Sequence, residues 1–528
     1  MPRMILRPTH LRNSTWATPT GDGERLIDPE LSLWPERARA NRATFRASNY
    51  DVQGVSIGAL AADARRELLA AALDATRAYR DATLPTTVDA ACPLLFTAGH
   101  QPEIFHPGVW LKNALLSQAA ASVGGIAVNL TIDTDLIKSS NLRVPGGTIA
   151  APRWEPIALD DGPSQVPWET RAVADIERLR TWPERMTSVA LAPAQDGCWR
   201  EYWPLVMQRA AATGNLGLAF AQARHRLEAD WGLNTLELPV SRAVQTPAAR
   251  RLLLHLLAHL PRLTEVYNGA LAEYRAAHGI TSRAHPAPSL ETRGEWIEAP
   301  FWVRDDANPR RRRVWALLRD DVLRLSDGDA IEADFPLTPD QPTDEAVAAW
   351  EALEVRGVRL RTKALITTLI ARVLWSDLFV HGIGGAKYDE TTDRIIAEFF
   401  GFPAPDYAVA SGTLRWPALR ADDEALDEAE LLQRIRATEF QPERFLQNGA
   451  VGEFAEAIAQ ASGGRPGKNA GQRAGSTSRN HGRESRPATR RASSPGRVSS
   501  PPGRPTSLRP SGRHSELART PVRAPLVR

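Results

Sequence analysis

Leu94-Leu95-Phe96-Thr97-Ala98-Gly99-His100-Gln101 and Gly125-Ile126-Ala127-Val128-Asn129-Leu130-Thr131-Ile132-Asp133-Thr134-Asp135 decide the fold, with a helical stretch from about Val109 to Ser122 between them. Each apolar run is too short for a helix. The second is rich in β-branched residues, which suit a buried strand. Strand, helix and strand within about 40 residues make a βαβ unit, and that unit implies a parallel sheet with a right-handed crossover. The expected class is therefore α/β, with a parallel-sheet core.

A second unit lies late in the chain. Leu360 to Trp375 is apolar nearly all round and reads as a buried helix. Leu378-Phe379-Val380 reads as a strand, His381-Gly382-Ile383-Gly384-Gly385 as a loop, and a helix should start near Asp389 and stop at Gly401 and Pro403. After Pro405 a polar, acidic helical segment is expected to continue to about Gln460. Between the two units, Trp199 to His278 reads as mainly helical. Trp296 to Val303 and Val314 to Leu318 read as strands turned by Asn308-Pro309, with Arg310 to Arg313 as a solvated tip or an anion clamp. Before the first unit, helical spacing runs from Gly58 to Arg80.

These readings divide the chain into 1–90 (loop and helix), 91–198 (first half of the core), 199–290 (helical insertion), 291–358 (small strand-containing segment), 359–425 (second half of the core), 426–462 (C-terminal helix) and 463–528 (tail). The tail is rich in Gly, Pro, Ser and Arg and too poor in large apolar residues to offset chain entropy, so disorder is expected there. Residues 464–528 hold 15 Lys and Arg against two acids, of 65 and 62 in all, so the rest carries 50 bases and 60 acids. The body is mildly acidic, and the basic balance belongs to the tail. The tail is a passive extension, a product of a shifted reading frame, a partner-binding segment, or an arm for nucleic acid or another polyanion; nucleic acid is expected nowhere else. No apolar run approaches membrane-spanning length. Two cysteines exclude a disulfide scaffold. A cytoplasmic protein is expected. The sequence leaves its oligomeric state open.

Three segments at strand ends could carry chemistry, because ligands of open α/β sheets sit outside the carboxyl ends of the strands. Gly99 permits close backbone approach, His100 can exchange a proton near neutrality, and Gln101 both donates and accepts. Lys112, on the following helix, adds a cation. Asp133 and Asp135 are costly to bury unpaired; a substrate amine, a cation, or Lys138 and Arg143 downstream would justify them, and one could serve as a general base. His381 could transfer protons. Gly382, Gly384, Gly385 and Lys387 could bind an anion, with Tyr388 beside them. His100, His106, Asp133, Asp135 and His381 could also gather round a metal. No Walker loop, dinucleotide fingerprint, zinc-protease motif or nucleophile elbow is present.

Phe96-Thr97-Ala98-Gly99-His100-Gln101, with Phe105 and Lys112, resembles the Thr-Gly-Gln-Gln…Phe…Lys segment of the bacillithiol-biosynthesis cysteine-adding enzymes. Their next strand ends Glu-Asp-His-Asp, where this chain has Ile132-Asp133-Thr134-Asp135. Leu360 to Pro405, with Gly384, Gly385 and Phe400-Gly401-Phe402-Pro403, is similar to their late segment. The form His-Gly-Ile-Gly-Gly-Ala-Lys-Tyr-Asp is also similar to that of a set of bacterial proteins. The resemblance implies a Rossmann-like core, an amide-forming ligase, and site positions Gly99, Gln101, Asp133, Asp135, Gly384 and Gly385. Thr134 replaces the family's His, and Ala386-Lys387-Tyr388 replaces its Pro-Gly-Glu stretch. The expected function is thus a ligase or transferase acting on a small polar, anionic metabolite, with a nucleotide or divalent metal compatible as cofactor. The alternative is a non-catalytic nucleotide- or metabolite-binding protein that uses the same cleft.

Overall fold

The computed structural model describes residues 16–84, 93–103, 107–148, 151–191, 197–340 and 343–414. Phe105, His106, the helix expected at 426–462 and the tail at 463–528 lie outside the described residues.

The first decisive run forms strand β2 (Leu95–His100), preceded in the chain by strand β1 (Arg25–Asp28), helix α1 (Trp34–Ala47) and helix α2 (Ile57–Arg77). Helix α3 (Pro107–Ser122) then leads to strand β3 (Ile126–Thr131), every residue of which is buried. The two strands are parallel, in register from Leu95 opposite Ile126 to His100 opposite Thr131. The later unit adds β12 (Leu378–His381) on the other side of β2, with Val380 opposite Ala98. Strand β13 (Tyr407–Gly412) continues outward in parallel, and β1 closes that edge antiparallel. Strand β6 (Leu236–Pro239) closes the opposite edge, parallel to β3. The spatial order β1-β13-β12-β2-β3-β6 reverses its direction of growth between β2 and β12.

The period of two along each strand builds two cores. Leu95, Val128, Leu130, Phe379 and Val409 pack with Leu60, Ala64 and Leu68 of α2. Phe96, Ala98, Ala127, Val380 and Ala408 pack on the other side with Trp34 of α1 and Leu116 of α3. Helices on both faces explain why β3 and β12 are buried along their whole length rather than alternately exposed.

Strands β4 (Asn141–Thr148) and β5 (Ala151–Ala158) form a hairpin beyond β3. Helices α4 (Trp199–Thr213) and α5 (Leu216–Asp230) precede β6, and α6 (Pro247–Ala258) and α7 (Leu260–Ala277) follow it. A second, antiparallel sheet contains β7 (Trp296–Asp305), β8 (Arg312–Arg319), β9 (Val322–Ser326), β10 (Glu332–Pro336) and β11 (Val358–Thr362), in the order β10-β9-β8-β7-β11. Between β10 and β11 lies α8 (Asp344–Val355). Helix α9 (Ala364–Ile370) continues as a wide helical turn over Ala371–Trp375 into β12.

Four local expectations are corrected. The glycine stretch is not a loop: helix α10 (Ile383–Phe400) starts at once after Gly382, not near Asp389. Tyr407–Gly412 is a strand, not the start of a helix, because Ala408 and Ala410 fit the buried face beside β12. Leu360–Thr362 belongs to a strand, paired with Phe301–Val303. The mainly helical stretch contains β6, a four-residue strand whose central Glu237 hides it from an apolar pattern; inside the protein Glu237 pairs with Arg224.

Among the described residues, no helix is long and apolar enough to cross a membrane.

Candidate functional site

A cavity of about 420 Å³ opens at the carboxyl ends of β2 and β12, where the strand order reverses. That size lies within the ~300 to 1,000 Å³ of small-molecule sites, and a reversal point is where such sheets take ligands. Gly99, His100 and Gln101 form one wall, and His381, Gly385, Tyr388 and Asp389 form another. The second sheet and α9 supply a third, through Trp302, Arg311, Lys363 and Thr367. Three distant parts of the chain therefore meet here.

His381 is the best-positioned proton carrier. It ends a fully buried strand and is 7% exposed, with the rings of Phe379 and Tyr407 4.5 and 4.9 Å from its own. Its Nε2 lies 2.8 Å from Asp389 Oδ2. The same oxygen accepts from Arg372 Nη1 at 2.7 Å, and Arg372 also bonds Asp393 and the Pro405 carbonyl. Burial opposes the Asp389 charge, but Arg372 and then His381 outweigh it and push the carboxyl down to about 2. An ionised carboxylate only accepts, so His381 Nε2 carries the proton. In the neutral ring the lone pair then sits on Nδ1. A Cβ at residue 385 would lie 2.9 Å from that Nδ1, so glycine keeps the space in front of it clear. Gly384 has no such constraint, for a Cβ there would meet open space. Gly385 also stands in the first turn of α10, whose first backbone N–H groups lack helical partners.

The facing wall is charged. Gln101 Nε2 donates to Asp135 Oδ2 at 3.0 Å, and Arg311 Nη2 lies 3.0 Å from Asp135 Oδ1. Burial raises the Asp135 carboxyl, but Gln101, the Leu136 N–H and Arg311 together hold it below the usual range. Asp135 is thus an anchor for a cation rather than a base. Lys363 Nζ pairs with Glu298 at 2.6 Å and sits 4.8 Å from the centre of the Trp302 ring. Burial lowers its ammonium, and the Glu298 contact opposes that shift. His100 Nδ1 lies 3.0 Å from the Gln101 carbonyl oxygen and donates to it when that nitrogen carries the ring proton.

The structure does not bring every expected residue here. Asp133 does not line the cavity: its carboxylate accepts from the Ser241 N–H at 2.9 Å and from the Ser241 hydroxyl at 2.5 Å. Burial, with Glu169 next, raises it well above the ordinary range. Lys112 is buried and donates to the Gly99 carbonyl at 2.9 Å; burial, then Arg224, pushes it down to about 8. It braces the end of β2 from below the site. Lys138, Arg143 and Lys387 are exposed and outside the cavity lining. Gly382 caps α10 and Gly384 lies within it, both beside the cavity rather than in its lining.

Sequence reasoning missed Asp389, Arg372, Lys363 and Trp302. A lone Arg372 inside the apolar Leu365–Trp375 stretch was the available signal, since a buried cation demands a buried anion. Lys363 and Trp302 gave no comparable signal.

Among the described residues, no group of three or more His, Cys, Asp or Glu is placed to hold a metal ion. No protein-family model matches this chain, and no curated protein matches it.

Proposed function

We propose that the chain is an enzyme of ligase or transferase type acting on a small polar, anionic metabolite, similar in kind to the cysteine-adding enzymes. The observation that carries this reading is the Arg372–Asp389–His381 relay opening on a cavity that the ion-paired Arg311 and Lys363 also line. The strand-order reversal supports a Rossmann-like reading of the sheet, with α4 to α7 as a largely helical insertion. In this reading the chain acts in the cytoplasm.

The chemistry follows from the side chains. An incoming amine arrives as an ammonium and must lose a proton before it attacks a carbonyl carbon. His381 Nδ1 takes that proton, and Asp389 stabilises the imidazolium that results. The C–N bond forms as the bond to the acyl leaving group breaks. Asp135 and Gln101 hold the amine side of the substrate. Lys363, Arg311 and the first N–H groups of α10 hold its anionic side. Activation of the acyl group requires a co-substrate such as a nucleoside triphosphate.

Native mass spectrometry of the full chain, after exposure to a cell extract and desalting, identifies the retained metabolite. That metabolite is then incubated with the chain, ATP, magnesium and a panel of amino acids and amino sugars. The proposal expects a condensed product, formed at a rate at least about 100-fold lower with His381→Ala. Recovery of the metabolite unchanged, bound equally by both forms, would instead establish the non-catalytic binding protein.

A further inference from the structure

A second cavity, of about 300 Å³, lies beyond the first. Gln101 lines the first cavity and Glu103 the second, so the chain between them is a shared wall. The ligase reading makes no use of it. Its body is aromatic: Trp182 and Trp203 stack with centroids 4.5 Å apart, and Trp110, Trp199 and Tyr202 complete the walls.

Its polar groups are unevenly satisfied. The Trp203 indole donates to the Leu179 carbonyl at 3.0 Å. The indole nitrogens of Trp182 and Trp110 are buried and have no acceptor among the described residues, and Trp182 is only 5% exposed. Arg143 lines the same cavity, and its guanidinium makes no ion pair or hydrogen bond among the described residues. Glu103 brings the opposite charge to the lining; burial raises its carboxyl, and Lys138 draws it back.

We propose that this cavity binds an α-amino acid with a large apolar side chain. The carboxylate meets Arg143, the ammonium meets Glu103, and the side chain fills the tryptophan-lined body. The Arg143 guanidinium then gains a partner, and the aromatic walls favour an apolar side chain. An anion alone would sit beside the Glu103 carboxylate, and a cation alone would leave Arg143 without a counter-charge.

Isothermal titration calorimetry of the full chain tests this with L-phenylalanine, L-leucine, phenethylamine and hydrocinnamate. Saturable binding of at least one amino acid is expected. Phenethylamine and hydrocinnamate, each lacking one charge, should bind at least about tenfold more weakly than L-phenylalanine. Arg143→Ala should weaken amino-acid binding by a similar factor. Arg143 is exposed, so the variant should fold, which near-UV circular dichroism checks. His381→Ala, in the first cavity, should leave this affinity unchanged even if the ligase reading fails. The proposal is overturned if neither amino acid binds, if the singly charged compounds bind equally well, or if binding survives Arg143→Ala but is lost with His381→Ala.

Discussion

Replacing Asp389 with Asn keeps the shape of the residue that orients His381 and removes its charge. Asp389 is 2% exposed and Arg372 is 1% exposed, so the pair is held away from solvent. Removing one partner of a buried ion pair typically costs about 3 to 5 kcal/mol. Asp393 still faces Arg372 in the variant, which places the loss at the lower end. A second route starts from the carboxyl itself, pushed from 3.8 to about 2. At ~1.36 kcal/mol per pKa unit that is worth roughly 2 kcal/mol. The two routes agree on a loss of about 2 to 3 kcal/mol at neutral pH. The folded value lies below the unfolded one, so this stability is fully present above the unfolded value of 3.8 and is lost as pH falls through about 2. Equilibrium urea denaturation of both forms, from pH 7 down through this window, measures the difference. It should be largest at neutral pH and shrink as the solution is acidified. A difference below about 1 kcal/mol at pH 7, or one that does not change with pH, would refute the reasoning.

Other substitutions probe the same geometry. Gly385→Ala should displace the His381 ring, read as a shift of its imidazole NMR signals, whereas Gly384→Ala should leave them in place and stabilise the helix by up to about 1 kcal/mol. Lys112 is held down to about 8, below its unfolded value of 10.5, so its buried charge disfavours the fold at neutral pH and that penalty is relieved as pH rises through this range. The stability of the native protein relative to Lys112→Met should therefore rise between about pH 8 and 10.5, by as much as about 3 kcal/mol; a flat difference contradicts the burial of its charge. Asp377 has a fully buried side chain that pairs with Arg42 and Arg65 and accepts from the Leu95 N–H at 2.8 Å, so Asp377→Ala should cost about 3 to 5 kcal/mol in the same urea assay. Asp133 is raised far above its unfolded value and favours its protonated form in the fold. Native stability should therefore fall relative to Asp133→Asn as pH rises above about 4.

The parallel unit was legible because its strands are buried on both faces. Ile126 to Thr131 is short and rich in β-branched residues, and the apolar run before His381 marks the neighbouring strand. What escaped was set by tertiary placement. Asp133 and Asp135 stand two apart, yet one bonds Ser241 and the other faces Gln101 and Arg311; composition alone could not say which faces the ligand. Lys138 and Lys387 lie close in sequence to site residues but are exposed outside the cavity lining, and Arg143 lines the neighbouring cavity instead. Closely spaced glycines suggested a loop, whereas the helix runs straight through them, and a Cβ at Gly385 would crowd His381 Nδ1. Lys363 and Trp302 enter from the second sheet, and no pattern within either segment announces that meeting.

Hydrogen–deuterium exchange of the full chain, with and without the metabolite it retains from cell extract, tests most directly whether the cavity at the strand-order reversal is the working site. The cavity reading predicts slower exchange at residues 99–101, 362–368 and 381–389 together. Protection confined to other segments, with these three unchanged while the metabolite is bound, would contradict it.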